Sequence, residues 1–150
     1  MATKKTTTKT KARKKTAARK KAAPKGAPSL ADLRRIARSV VTSTSVMDER
    51  RMMSLYADSI ESEEVVAGSR PVLGIEALRN KGEVWDKRVS DARWHARNLW
   101  CDGQTVIIEW EAHLTLKGGR KALHREVAIH EIRNGKIARE RYYYDPAQLG

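Results

Sequence analysis

The sequence contains no phenylalanine, only one cysteine and only four prolines in 150 residues. A single thiol, Cys101, excludes an intramolecular disulfide, so any core has to be held by packing, and it fits a reducing compartment. No stretch approaches the roughly 20 consecutive apolar residues of a membrane span. There is no phosphate-binding loop, dinucleotide fingerprint or serine-nucleophile motif. Residues 1–28 lack acids altogether, and they also lack Leu, Ile, Val and every aromatic. With alanine as almost its only apolar side chain, this stretch cannot bury enough surface to offset the entropy of ordering it. No apolar run follows it, so it does not read as a secretory signal. Its acid-poor, Thr-rich composition fits a transit peptide, against which stands the lack of any Leu, Ile, Val or aromatic to form an apolar helix face.

What that stretch does have is charge. Eleven of the 31 Lys and Arg residues lie there: Lys4, Lys5, Lys9, Lys11, Arg13, Lys14, Lys15, Arg19, Lys20, Lys21 and Lys25. The rest of the chain keeps 20 basic against 18 acidic residues, a net of +2 out of the total of +13. The basicity therefore describes an appendage, not a fold. The expected organisation is a disordered Lys/Ala/Thr-rich tail over 1–28, ending in Pro24, Gly26 and Pro28, and one domain over 29–150. The composition resembles linker-histone tails and implies non-specific nucleic-acid binding through phosphates, since no aromatic, Asn or Gln is present to read bases. A merely solubilising tail is the alternative.

Order begins at Ser29. Ser29 with Asp32 is a capping-box pattern, and Leu30, Leu33, Ile36, Ala37, Val40 and Val41 follow at helical spacing. Ser45 with Asp48 predicts a second helix carrying Met52, Leu55 and Tyr56 on one face. A short strand is expected over 63–67, closed by Gly68-Ser69-Arg70-Pro71. A third helix over 74–88 carries Ile75, Leu78 and Trp85; Gly82 in the same row suggests close packing against a neighbour. From Asp91 the period changes to two. Asp102-Gly103, Gly118-Gly119 and Asn134-Gly135 each suit a type I′ hairpin turn and mark out strands over 91–101, 104–117, 120–133 and 136–145. Val106, Ile108, Trp110, Ala112, Leu114 and Leu116 form one face of the second of these, which should pack on the helices.

This order of elements resembles the nuclear transport factor 2-like superfamily, which includes ketosteroid isomerases, limonene epoxide hydrolases and SnoaL-like polyketide cyclases. Three segments resemble the SnoaL-like branch: Leu55-Tyr56-Ala57-Asp58, Leu73-Gly74-Ile75-Glu76-Ala77-Leu78, and Ile129 to Ile137 followed by Tyr143-Tyr144-Asp145. Together they cover residues 45–146. The resemblance implies an α+β half-cone of three helices on a curved antiparallel sheet, one short strand plus a four-strand meander. It implies an apolar pocket at the open end for a small, largely apolar ligand, a carboxylate proton shuttle if there is isomerase or cyclase activity, and a homodimer through the sheet. No cofactor and no metal are implied.

The isomerase pattern needs a helical Tyr, for which Tyr56 is the candidate, and an Asp on the first strand. Here that strand offers Glu61, Glu63 and Glu64 instead. The cyclase pattern needs one acid on a sheet strand, for which Glu126 is the candidate, with His124, Ala128 and His130 on its face. Glu63, Trp85, Trp110, Tyr142 and Tyr144 are candidate ligand contacts; Trp94 and Trp100 belong to the same aromatic set, which fits a pocket wall, a core or a dimer interface. A Glu or His alternating with apolar residues also fits a solvated face. His124 and His130 lie about 20 Å apart along a strand and cannot share a metal ion. Cys101 has no evident base beside it. Two functions remain: a pocket protein with a tail that holds it to nucleic acid in the cytoplasm, nucleoid or chromatin, or a non-enzymatic dimeric module tethered to DNA in the same way.

Overall fold

The structure, a computed structural model, describes residues 27–150. The tail expected over 1–28 thus lies almost wholly outside the described residues. Helix α1 (Leu30–Ser45) starts at the expected cap: Ser29 Oγ accepts from the Asp32 amide at 3.1 Å, and Asp32 accepts in return from the Ser29 amide. Leu33, Ile36, Ala37 and Val40 are buried, whereas Leu30 stays half-exposed at the helix mouth. Helix α2 (Glu49–Met53), strand β1 (Tyr56–Glu64) and a two-residue β2 (Val72–Leu73) follow, then α3 (Ile75–Arg88) and four long strands: β3 (Val89–Asp102), β4 (Thr105–Leu116), β5 (Lys121–Arg133) and β6 (Lys136–Tyr144). A 3-10 turn over Pro146–Leu149 tucks Leu149 into the core.

The six strands form one open sheet in the order β2-β1-β6-β5-β4-β3, with β1 parallel to β6 and all other neighbours antiparallel. Bulges interrupt β1, β3 and the β5–β6 pairing, and such bulges bend a sheet. The helices cover one face. The class is the α+β half-cone expected, but with six strands in place of five.

Four expectations need correction. Ser45 is the last residue of α1, not a cap; α2 is capped by Asp48, whose carboxylate accepts from the Arg51 amide at 2.9 Å. Tyr56 is not helical. It opens β1, which begins seven residues earlier than the strand expected over 63–67. The reason is alternation: Ile60 and Ser62 are fully buried on the same side, and the backbone finds its partners on β6, far along the chain. Gly82 is exposed and a Cβ there would meet nothing within 4 Å, so no close neighbour explains it. Of the three turns only Asn134-Gly135 has positive φ at both central residues of a two-residue loop; Gly103-Gln104 is positive at its first residue only, and Gly118-Gly119 sits inside a four-residue loop.

The inner face of β4 is as expected, with Val106, Ile108, Trp110, Ala112 and Leu114 buried. Two apolar clusters result. One joins α1 to the middle of the sheet, and the other gathers Val89, Ala112, Leu114 and Leu149. Trp94 packs against both.

Candidate functional site

The two-residue period of β5 puts His124, Glu126, Ala128 and His130 on the face that meets the helices. Register then fixes their neighbours: Ala112 lies beside His124, Trp110 and Tyr144 flank Glu126, Ile108 and Tyr142 flank Ala128, and Val106 and Glu140 flank His130. The small Ala128 separates two polar groups.

The first is the pair His124–Glu126, with Nε2 and Oε2 3.0 Å apart. The His124 side chain is 1% exposed and that of Glu126 10%. Aromatic rings enclose the imidazole: Tyr144 at 5.0 Å, Trp94 at 5.7 Å and Trp85, from α3, at 6.1 Å between centroids. Burial pushes the Glu126 carboxyl above the usual carboxylate range, and the adjacent His124 only partly opposes it. The Tyr144 phenol is pushed up to about 12, by burial and by the carboxylate of Glu64.

The second group surrounds Glu140, whose side chain is completely buried. Ser62 donates to Oε1 and Tyr142 to Oε2, both at 2.8 Å. His130 Nδ1 approaches Oε2 at 3.5 Å, without the alignment of a hydrogen bond. Lys81 of α3 donates to Ser62 Oγ at 2.9 Å, pairs with Glu64 at 2.5 Å and lies 4.7 Å over the Tyr142 ring. Burial alone would raise the Glu140 carboxyl, but His130, Lys81 and Ser62 together outweigh it and hold it below the ordinary value. Burial and the Glu140 charge push the phenols of Tyr56 and Tyr142 well above theirs.

The expected residues divide accordingly. Glu126, His124, Trp85 and Tyr144 come together. Trp110 is a core residue, 5.9 Å edge-on to Trp94. Tyr56 and Tyr142 belong to the Glu140 group. Glu63 is misplaced in the expected set: with Ser62 buried, its side chain points to the outer face, where it pairs with Arg139 at 3.4 Å. The acid of β1 that faces inward is Glu64. Trp100 is also on the outer face, 51% exposed. Sequence reasoning missed Glu140, Lys81 and Ser62. The signal for Glu140 was its alternation with Tyr142 and Tyr144, masked by the flanking Arg139 and Arg141. Two open hollows, of about 340 and 190 Å³, are lined by His113, Leu114, Lys121, Ala122 and Leu123, and by Arg97, Glu109, Trp110, Glu111 and Arg125. Neither includes Glu126 or Glu140.

The family model of the SnoaL-like domain matches residues 38–140. No curated protein matches the sequence. Among solved structures, a Mesorhizobium loti protein described as a SnoaL-like polyketide cyclase is 27% identical, with a TM-score of 0.64 over 75% of this chain and 98% of its own. A nuclear transport factor 2-like protein of unknown function from Burkholderia pseudomallei is 13% identical at a TM-score of 0.72, over 79% of this chain and 94% of that one. A limonene epoxide hydrolase-like enzyme of M. tuberculosis is 17% identical at 0.65, over 79% and 86%. The last two likenesses are of fold alone.

Proposed function

The chain belongs to the SnoaL-like domain family, and from that premise we propose that its domain binds a small, largely apolar ligand bearing a carbonyl or hydroxyl, which Glu126 meets as an acid. The observation that supports this is the His124–Glu126 pair. A carboxyl that burial keeps protonated to higher pH is the form able to donate to a carbonyl oxygen, and His124 Nε2, 3.0 Å away, is placed to exchange that proton. Trp85, Trp94 and Tyr144, tilted to one another around His124, offer apolar surface for the rest of the ligand. Where turnover accompanies binding, the reaction is an isomerisation or cyclisation with this carboxyl as the proton shuttle. The test uses 2-hydroxy-1,4-naphthoquinone, read by quenching of tryptophan fluorescence. Glu126→Gln keeps the fold and weakens binding about tenfold, roughly 1.4 kcal/mol. Equal affinity of the two proteins would remove Glu126 from the site.

The same reading takes residues 1–28 as a tail that binds nucleic acid through phosphates, keeping a cytoplasmic protein on nucleoid or chromatin. Its support is the eleven positive charges without an acid. Each phosphate contact lowers log K by about 0.9 per unit of log salt, so binding of two unrelated duplexes should be equally tight and equally salt-sensitive.

A second function, a dimeric non-enzymatic module, is favoured by the outer sheet face. There Trp100, Ile107 and Ile129 stand in register across three strands, with Val127 and Tyr143 alongside. This apolar stripe fits a second copy of the chain.

A further inference from the structure

We propose that Arg34, Arg38, Arg50 and Arg51, on α1 and α2, form a phosphate-contacting surface on the folded domain, which lies against duplex nucleic acid as a continuation of the basic tail. The proposal rests on the tail reading and assigns part of the contact to ordered structure.

Leu33, Ile36, Ala37 and Val40 turn one side of α1 into the core. At 100° per residue Arg34 and Arg38 fall on the solvent side, one turn apart and about 6 Å along the axis. Both are exposed, and neither has an ion-pair partner among the described residues. Arg35 differs, being held by Asp32 at 3.3 Å. Arg50 and Arg51 of α2 are likewise exposed and unpaired among the described residues.

The outer sheet face shows the contrast. There Arg97, Arg125, Arg133, Arg139 and Arg141 each meet a glutamate. The domain's small net charge therefore hides an uneven distribution: among the described residues five of the sheet's six arginines are neutralised, Arg93 being the exception, whereas four of the five on the first two helices are unpaired. Residues 29–54 hold three acids, Asp32, Asp48 and Glu49. Asp32 is engaged by Ser29 and Arg35, and Asp48 by the α2 cap, which leaves Glu49 alone against four arginines.

A guanidinium fork suits phosphate oxygens better than a point charge does. Lys25 precedes Leu30 by five residues, at most roughly 18 Å of chain, so tail and helix face reach the same stretch of duplex. An anionic membrane is the poorer partner, because α1 turns its continuous apolar face into the core and leaves only Leu30, Val46 and Met47 exposed at its two ends, which do not make the apolar face of a membrane-surface helix.

The test compares the full-length protein with its Arg34→Ala/Arg38→Ala/Arg50→Ala/Arg51→Ala variant on a 20-bp duplex across a salt series. Far-UV circular dichroism and melting check the fold, and the Arg34→Gln/Arg38→Gln pair serves if the fourfold variant unfolds. The expected slope of log K against log salt is shallower by about 0.9 for each arginine engaged, up to about 3.6 for four and 1.8 for the pair. A full-length protein with the eleven tail cations replaced by Gln should keep a residual salt-sensitive affinity that the helix substitutions then abolish. An unchanged slope and Kd in the arginine variants would overturn the surface and leave the tail reading standing. Absence of duplex binding by the unaltered protein would overturn both. Tighter binding to phosphatidylserine vesicles than to duplex at equal salt would also overturn it.

Discussion

At Glu126 and Glu140 the same side chain, on the same face of neighbouring strands, is pushed in opposite directions. Burial acts on both. At Glu126 burial wins over His124, with Glu64 and Lys81 acting in opposite senses; at Glu140 it loses to His130 joined by Lys81 and Ser62. The linkage to stability therefore has opposite signs. Glu126 has a folded pKa above its unfolded one, so its contribution is full below the ordinary value near 4.5 and is lost as pH rises through the folded pKa. Glu140 has a folded pKa below its unfolded one, so its contribution is present above that value and is lost as pH falls through the folded pKa. Urea unfolding at pH 4 and pH 7 checks this. Relative to the unaltered protein, Glu126→Gln should fare better at pH 7 than at pH 4, and Glu140→Gln should fare worse at pH 7 than at pH 4. The same trend in both variants would mean that the carboxyls are not distinguished by their surroundings.

Among the elements, α1 and α3 are stabilised in different ways. The first has a complete capping box and four core residues, and Ser29→Ala should cost about 1 kcal/mol. The third has no side-chain cap, buries only Leu78 fully, and carries Gly82 in its middle with open space around it. It is held by Leu78, by Lys81 reaching Ser62 and Glu64, and by Trp85 on Trp94 and His124. Because nothing obstructs a methyl group there, Gly82→Ala should stabilise the protein by about 1 kcal/mol in denaturant unfolding. A loss of stability would mean that α3 needs the freedom of glycine.

At the scale of the whole molecule the sheet divides two environments. Its inner face holds the two carboxylate groups. Its outer face holds an apolar stripe among paired charges, Glu111 with Arg97 and Arg125, and Glu131 with Arg133 and Arg141. A second copy seated there would cover Trp100 and Ile129. Sedimentation equilibrium should find a dimer for the full chain and a monomer for Ile129→Arg, with the melting temperature then dependent on protein concentration only in the former. A unaltered protein that stays monomeric at high concentration would count against the dimer.

Local pattern alone determined much of this protein. The acid-free composition of residues 1–28, the Ser29 cap, the apolar period of α1 and the four long strands are all properties of neighbouring residues, and the strand limits agree with the structure to within two residues. β1 was not legible in full, because Leu55 and Tyr56 continue the helical spacing of Met52 and only the parallel pairing with β6 overrules it. The site was half legible. His124 and Glu126 stand two apart on one strand, so their shared face follows from alternation, but whether that face is solvated or buried depends on which side the helices pack. Glu140 with Ser62, and Lys81 with Glu64, join residues 78 and 17 positions apart in the chain. Only the order of strands and the crossing of α3 bring them into contact, and those contacts join His130 in holding the buried Glu140 carboxyl below its ordinary value while burial raises that of its neighbour Glu126.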